Sequence, residues 1–107
     1  MWPLLFAERP SQLILRGGTH VPFSPSYHYL AEVAGPAFAR LGATFNWQLN
    51  GWGWYPAGGG EIQAEISPIE GLQAASWSLQ PEARKVVYGV AAVTNLPAHI
   101  PQRLAQR

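Results

Sequence analysis

The stretch Gly53-Trp54-Tyr55-Pro56-Ala57-Gly58-Gly59-Gly60-Glu61 runs directly into an alternating segment that ends at Ile66. Glycine loses more backbone freedom on folding than any other residue. Three in succession therefore indicate a positive φ or a close approach of the backbone to another group. The segment 61–66 places Ile62, Ala64 and Ile66 on one side, which is typical of a half-buried strand. This stretch predicts a glycine bend that leads into a strand.

Length and composition are those of one domain or part of one. The chain has 107 residues, of which 12% are charged and 48% are hydrophobic. The charged share is about half of the ~25% that is usual in globular proteins. A small domain normally covers its surface with charged side chains. We therefore expect the rest of a longer polypeptide or a partner to cover part of this surface.

Charge, cysteine content and hydropathy argue against several classes of protein. The net charge of +1 gives no strong basic field for nucleic acid, and the absence of cysteine excludes disulfides, thiolate zinc sites and cysteine nucleophiles. The apolar opening 1–8 lacks the basic region of a signal peptide, and no apolar run reaches the length of a membrane span. We expect a soluble, cytoplasmic protein without a membrane partner.

Hydrophobic periodicity predicts a succession of strands and helices. The chain begins with the predicted end of a helix at 2–7, which is followed by a strand at 12–16 and a helix at about 27–41. Further strands are predicted at 44–49, 61–66, 77–79 and 85–93. A final helix is predicted near Pro97, with Asn95 as its N-cap. This order predicts an α+β fold with helices packed on one face of a mixed β-sheet. No linker divides the chain, so we expect a single domain over residues 1–107.

The central helix has the clearest periodicity of the chain. Its apolar stripe consists of Leu30, Val33, Ala34, Ala37, Phe38 and Leu41. Ser26 is the predicted N-cap, and Gly42 is the predicted residue that follows the helix at its C-terminal end. Pro36 lies inside the helix and predicts a kink, because proline removes one backbone donor.

The loop between the first strand and this helix is a candidate binding site. Gly17-Gly18 ends the strand, and a glycine pair before a helix N-terminus can hold an anion or lie against a nucleotide. The nucleotide-binding residues predicted here are Gly17, Gly18, Thr19, His20, Pro22, Phe23, Pro25 and Ser26. An ordinary strand-to-helix connection with buried aromatic side chains is the alternative, and composition alone favours it.

The glycine bend at 52–61 is a second candidate site. Backbone donors of Gly58, Gly59 and Gly60 can form a concave anion site. Trp54 and Tyr55 offer stacking surfaces beside them, so we predict that these five residues bind RNA or phosphate. A bend that only connects two strands is the alternative. His20, His28 and His99 have no metal-ligand spacing, and we predict neither a catalytic residue nor a metal site in this chain.

Together, Gly17-Gly18-Thr19, the helix after it and the stretch 53–60 resemble the RNA 3'-terminal phosphate cyclase family. Asn95-Leu96-Pro97-Ala98-His99 matches the start of a helix in the same family. The resemblance covers nearly the whole chain, yet family members are much longer. It implies one repeat unit of the cyclase and enolpyruvyl transferase-like fold, as the central portion of a cyclase-like protein. Asn50-Gly51 is compatible with a hairpin turn, but the family runs one strand through this point, so we predict a bulge.

The resemblance also implies an activity. Family members belong to the ligases and convert an RNA 3'-phosphate to a 2',3'-cyclic phosphate, using ATP and Mg2+ and passing through enzyme–AMP and RNA-adenylate intermediates. The partners implied are RNA 3'-phosphate ends and the remainder of the parent polypeptide. The nucleophilic histidine of the family would lie beyond Arg107. We therefore expect the isolated chain to be inactive and its parent to be the enzyme.

Five positions depart from the family pattern and support an alternative. His20 and Val21 replace an Asp or Asn and its neighbour, Ser26 replaces a proline, and Gly51-Trp52 stands where the family has basic residues. Fewer positive charges predict weaker phosphate binding. The alternative is a non-catalytic module of the same fold in ribosomal RNA processing or assembly. Kinship to enolpyruvyl transferases is less well supported, because their phosphate-binding Lys and Arg pattern is not found.

Overall fold

The computed structural model describes residues 1–77 and 88–106. The chain divides into two compact units, Met1–Ser76 and Trp77–Arg107. The first unit contains a short 3-10 helix, a three-stranded sheet and a helical segment, and the described residues of the second contain a short helix. The predicted α+β class is confirmed.

The sheet is formed by β1 (Ser11–Gly17), β2 (Phe45–Gly51) and β3 (Gly60–Ile66). Its order is β1-β3-β2, so the last strand lies in the middle. Both neighbours pair with β3 in the antiparallel sense. The sequence predicts a mixed sheet, whereas every pairing among the described strands is antiparallel. Three of the five predicted strands, 12–16, 44–49 and 61–66, are present, each with bounds that differ from the prediction by no more than two residues.

The two faces of the sheet differ in polarity because side chains alternate along each strand. On one face, Ile62, Ala64 and Ile66 of β3 are buried, as predicted. Phe45 lies opposite Ile66 on this face and joins Leu5 and Ala43 in the core. The other face is polar, with side-chain hydrogen bonds from Gln12 and Asn46 to Glu65, and from Arg16 and Asn50 to Glu61.

The N-terminal segment covers the buried face of the sheet. Residues Trp2–Phe6 form a 3-10 helix, where the sequence predicts the end of an α-helix. The indole of Trp2 meets Phe38 and Phe45 edge-on, at ring-centroid distances of 4.8 and 5.8 Å. The backbone N–H of Ile69 donates to the Leu5 carbonyl at 2.7 Å and holds the chain after β3 against this helix.

β2 contains the predicted irregularity near its C-terminal end. Leu49 lies opposite Ile62 and Gly51 lies opposite Glu61, so Asn50 is the extra residue of a β-bulge. The predicted bulge is confirmed, and Asn50-Gly51 does not form a hairpin turn. An extra residue in one strand bends it and increases its twist. The strand therefore turns at Gly51 toward the glycine-rich stretch.

The central helical segment, residues 27–39, begins and ends as predicted. The Ser26 hydroxyl accepts a hydrogen bond from Tyr29 N at 3.3 Å, which confirms the N-cap. At the other end, Gly42 has φ of +83° and its N–H donates to the Ala39 carbonyl at 3.0 Å. Ala43 N donates to the Phe38 carbonyl at 3.1 Å. These two bonds form a Schellman motif, in which the left-handed residue is favourable for glycine.

The middle of this segment is not α-helical. A π-helical turn, Leu30–Ala34, separates the α-helical pieces Tyr27–Tyr29 and Gly35–Ala39. Gly35 N donates to the Leu30 carbonyl, five residues back. Pro36 then lies in the first turn of the last piece, where its missing N–H is not needed. The irregularity predicted at Pro36 thus takes the form of a π turn, which is a known source of helix bending.

The second unit contains the final helix, His99–Ala105. Its N-cap is Ala98, so the predicted cap at Asn95 is wrong; Asn95 instead has φ of +58° and belongs to the turn before the helix. Of the predicted strand 85–93, residues 88–93 are not a strand, and 85–87 lie outside the described residues. Of the predicted strand 77–79, Trp77 is not in a strand, and 78–79 also lie outside the described residues. No helix in residues 1–77 or 88–106 is long and apolar enough to cross a membrane.

Candidate functional site

The two glycine loops that the sequence singles out are joined by backbone hydrogen bonds. The Gly53 carbonyl accepts from both Thr19 N and His20 N, each at 2.9 Å. In return, Gly53 N donates to the Thr19 hydroxyl at 2.9 Å. Thr19 is only 4% exposed, so these bonds are shielded from water. We call this set of contacts the loop junction.

Glycine is required at the loop junction because backbones meet there directly. A Cβ atom on Gly53 would overlap the Gly17 carbonyl oxygen and the backbone of Gly60. A Cβ atom on Gly60 would overlap the backbone of Gly53 and lie 2.7 Å from the Thr19 methyl carbon. Two of the glycines in the 53–60 stretch therefore have a packing role, which the sequence alone does not separate from a binding role.

The other two glycines of the stretch serve its conformation. Gly58 and Gly59 have φ of +66° and +73°, a region that residues with a Cβ rarely adopt. Gly58 N donates to the Trp54 carbonyl at 2.7 Å, so this amide already has a partner. A Cβ on Gly59 would have no atom within 4 Å. Of the three predicted anion-binding glycines, Gly59 is the one whose Cα faces open space.

An aromatic cluster of His20, His28, Trp52 and Trp54 lies at the loop junction. The His20 ring stacks on Trp52 with a centroid distance of 4.5 Å and an interplanar angle of 24°. Trp52 and Trp54 are nearly parallel, at 5.5 Å and 11°. The rings of His28 and Trp52 are 5.3 Å apart. The cluster thus brings together both loops and the first turn of the central helical segment.

The two imidazoles of the aromatic cluster are hydrogen-bonded to each other. His20 Nε2 and His28 Nδ1 are 2.9 Å apart, and His20 Nδ1 is 2.9 Å from the Thr19 hydroxyl. The Gly53 carbonyl already accepts two N–H groups, so the Thr19 hydroxyl has a better acceptor in His20 Nδ1. We therefore assign His20 Nε2 as the donor to His28 Nδ1. A continuous chain of hydrogen bonds runs from Gly53 N through Thr19 and His20 to His28.

The surroundings of His20 favour the neutral form of its ring. Partial burial lowers the pKa of His20 below its usual value, and the nearby His28 lowers it further. Outside the cluster, Arg16 donates to Glu61 at 2.8 Å, just before the loops begin. Hydrogen bonds from Arg16 and then from Asn50 lower the pKa of Glu61. The positive charge of Arg16 is therefore already paired at the base of the loops.

The structure brings together only part of the predicted site. Thr19, His20, Trp54, Gly58 and Gly60 lie at or beside the loop junction, where His20 and Trp54 form a parallel bridge and Trp54 pairs with Gly58. The Thr19 hydroxyl accepts a hydrogen bond at the loop junction. The Ser26 hydroxyl caps the central helical segment. The other predicted residues exposed to solvent are Gly17, Gly18, Pro22, Phe23, Pro25, Tyr55 and Gly59. Of these, Gly17 also borders the junction, because its carbonyl oxygen faces Gly53.

The sequence places Trp52 inside the second candidate stretch, 52–61, but it assigns no binding role to Trp52 or to His28. Neither residue has a spacing that marks it, because the contacts join positions far apart in the chain. The excess of tryptophan was the only available sign, and it does not specify a location. Residues 1–77 and 88–106 contain no group of three or more His, Cys, Asp or Glu placed to hold a metal ion. No described residue is therefore assigned to a metal.

Comparisons with known proteins agree on one family. A family model described as RNA 3'-terminal phosphate cyclase matches residues 1–103. Proteins of that name are similar to this chain in Nostoc punctiforme, with 45% identity over 106 residues, and in Gloeothece citriformis, with 46% over 105. Each alignment covers 98% of this chain and 30% of the relative. A protein of the same name in Drosophila melanogaster is 40% identical over 109 residues, covering 97% of this chain and 30% of the relative. The chain thus spans about 30% of the length of these relatives.

Proposed function

The chain belongs to the RNA 3'-terminal phosphate cyclase family, and we propose that it supplies the surface on which such a cyclase holds ATP and an RNA 3'-phosphate end. The reaction proposed for the parent protein is the ATP-dependent conversion of the 3'-phosphate to a 2',3'-cyclic phosphate. The remainder of the parent polypeptide is the proposed partner that completes the active site. The loop junction is the single observation that carries this proposal.

The loop junction supports the proposal because it gives the two candidate loops one shared position. Loops that lay far apart could not contact the same ligand. Here the Gly53 carbonyl and the Thr19 hydroxyl hold both backbones within hydrogen-bond distance. We propose that the 17–26 loop contacts the nucleotide and that the 54–60 loop contacts the RNA end, as the sequence predicts.

The chemistry of the two loops fits a ligand with bases and phosphates. Gly59 has positive φ and open space beside its Cα, so a phosphate can come close to its backbone. Tyr55 is 75% exposed and Trp52 is 39% exposed, and bases stack on exposed aromatic rings. Stacking is worth about 1–3 kcal/mol per base in single-strand binding. It can therefore compensate for the scarcity of basic side chains in this chain.

Binding of ATP to the 107-residue chain tests the proposal. Tryptophan fluorescence reports on it directly, because Trp52 and Trp54 lie at the loop junction. We expect saturable quenching by ATP in the wild-type chain. Gly59→Ala should weaken the binding of an RNA with a 3'-phosphate several-fold, since alanine in the left-handed region costs about 1–2 kcal/mol and its methyl group enters the open space proposed for the phosphate.

Gly71→Ala is the matched control, because a Cβ at Gly71 also meets no atom within 4 Å and no positive φ occurs there. It should leave the affinity for that RNA unchanged. Equal affinities for Gly59→Ala and Gly71→Ala would contradict a role of the triple glycine in binding. Far-UV circular dichroism of each variant establishes that the fold is retained.

RNA binding is tested with a fluorescently labelled oligonucleotide carrying either a 3'-phosphate or a 3'-hydroxyl. Anisotropy should show tighter binding of the 3'-phosphate. Tyr55→Ala should weaken the binding of both oligonucleotides, because a stacking surface is lost. Equal affinity for the two ends would contradict recognition of the terminal phosphate. Binding of RNA without any binding of ATP would favour the non-catalytic module.

We expect no cyclisation by the 107 residues alone. None of His20, His28 and His99 matches the nucleophilic histidine that the family resemblance implies. His20 and His28 are also engaged with each other. The chain is incubated with ATP and an RNA that ends in a 3'-phosphate, and the ends are then analysed by phosphatase sensitivity. Phosphatase-resistant cyclic ends above background would overturn this expectation.

A further inference from the structure

The hydrogen-bonded imidazoles of His20 and His28 form the one part of the loop junction that can gain a positive charge near neutral pH. The loop 18–26 contains no Lys, Arg, Asp or Glu, and neither does the stretch 52–59. Arg16 precedes the first loop, but its guanidinium is paired with Glu61 at 2.8 Å. A phosphate bound at the loop junction therefore meets no permanent cation from either loop.

The geometry of the pair is suited to sharing a proton. The ring centroids of His20 and His28 are 5.1 Å apart while the bonded nitrogens are 2.9 Å apart, so the two rings meet nearly head-on. A proton added to His20 Nδ1 leaves the bond from His20 Nε2 to His28 intact. The Thr19 hydroxyl then accepts from Nδ1, and its own hydrogen turns toward the Gly53 carbonyl at 3.4 Å. In the charged form both ring nitrogens of His20 keep a partner, Thr19 at Nδ1 and His28 at Nε2.

Other titratable groups near the pair are few. The helical segment that carries His28 also carries the titratable residues Tyr27, Tyr29 and Glu32, and Arg40 follows it. In the two loops, Tyr55 is the other titratable residue. The adjoining strand ends carry Arg16 and Glu61. Glu32 is exposed and lies four residues after His28. Trp52 and Trp54 stack on His20 without contributing charge. Burial, and after it the neighbouring His28, lower the pKa of His20.

We propose that the His20–His28 pair takes up a proton when a phosphorylated ligand binds at the loop junction, and that this shared proton supplies the cation for the phosphate. This inference rests on the proposed function of the two loops. It adds that phosphate recognition in this chain depends on pH, with a titratable pair in place of a permanently charged side chain.

The direction of the pH dependence follows from linkage. Burial and the nearby His28 lower the pKa of His20, so His20 in the free chain is mostly neutral at neutral pH. A bound phosphate favours the cation and raises the pKa of the pair. Ligand affinity is then greatest at low pH and falls as the pH rises, by up to about tenfold per pH unit between the two pKa values.

Isothermal titration calorimetry with ATP on the 107-residue chain tests the inference. At about pH 7.5, titration in two buffers with different enthalpies of ionisation should show net uptake of up to one proton per ATP. The terminal phosphate of ATP itself titrates with a pKa of about 6, so the variants provide the reference. His20→Gln and His28→Gln should each abolish the uptake. His99→Gln, an exposed histidine of the other unit, should behave as wild type.

A pH series from about 6 to about 8.5 gives the second measurement. The dissociation constant for ATP should rise with pH in the wild type, and the rise should disappear in both variants of the pair. Adenosine has no phosphate, so its affinity should not change with pH. ATP binding with no proton uptake and a flat pH profile would overturn the inference alone. Absence of ATP binding at every pH would overturn the proposed function as well.

Discussion

Replacement of Thr19 by valine should remove the side-chain hydrogen bonds of the loop junction and leave its two backbone bonds in place. Valine has nearly the same shape as threonine but lacks the hydroxyl that accepts from Gly53 N at 2.9 Å and bonds His20 Nδ1 at 2.9 Å. The Gly53 amide is buried, so it loses its partner without gaining water. A buried donor left unsatisfied costs about 1–3 kcal/mol. We expect Thr19→Val to lower the free energy of unfolding by about 2 kcal/mol.

Urea denaturation followed by far-UV circular dichroism measures this loss. With a slope near 1 kcal/mol per molar urea for a small unit, the midpoint should fall by about 2 M. Thr19→Ser is the control, because serine keeps the hydroxyl and loses only the methyl carbon that lies against Gly60. Loss of one methyl group costs about 0.8 kcal/mol. Stability should therefore decrease from wild type to serine to valine.

Hydrogen exchange of the Gly53 amide provides a local readout of the same change. Protection of this amide should fall in Thr19→Val and persist in Thr19→Ser. A valine variant as stable as wild type within about 0.5 kcal/mol would refute the assigned role of the hydroxyl. So would a serine variant that is less stable than the valine variant.

Three further predictions concern residues at and around the site. Gly60→Ala should lower the free energy of unfolding by about 1–3 kcal/mol in urea titrations, because the new Cβ overlaps the facing backbone. The control Gly71→Ala should change it by less than about 0.5 kcal/mol. Glu61 has a lowered pKa, so its bonds to Arg16 and Asn50 stabilise the fold above about pH 4.5 and are lost as the pH falls through the lowered pKa. A pH series of urea midpoints should show a shallower acidic decline for Glu61→Gln, and identical declines would exclude this contribution. Ser26→Ala should lower stability by about 1 kcal/mol through loss of the N-cap, and Ser26→Asp should restore most of it; equal effects of the two substitutions would contradict the cap.

Local patterns in the sequence were sufficient for the strands and the helix ends. The alternation of β3 predicts which of its residues are buried, because successive side chains of a strand point to opposite faces. Ser26 and Gly42 were correctly placed at the two ends of the helical segment, since capping depends on groups within a few residues. Pro36 predicts the position of an irregularity in the helix, but nothing in the sequence predicts that it is a π turn.

Predictions failed where local preference did not decide the structure. The described residues 88–93 read as a strand from their β-branched content, yet no strand forms there. A strand needs a neighbour that completes its hydrogen bonds, and β-propensity does not provide one. Asn95 was placed as a helix cap on residue type alone, but the helix begins three residues later than that position requires.

Glycine blocks and alternating strands are local patterns, so the sequence was enough to predict the family, the α+β class and the positions of the two glycine loops. The contacts of each loop residue depend on the fold. Thr19 and Gly53 are separated by 34 positions, and their bonds exist because β1 and β3 pair in a register that places Gly17 opposite Gly60. That register also brings His20 against Trp52 and His28. Long-range register depends on the packing of the whole sheet, so no spacing in the sequence could have shown that two histidines share a hydrogen bond at the junction of the loops.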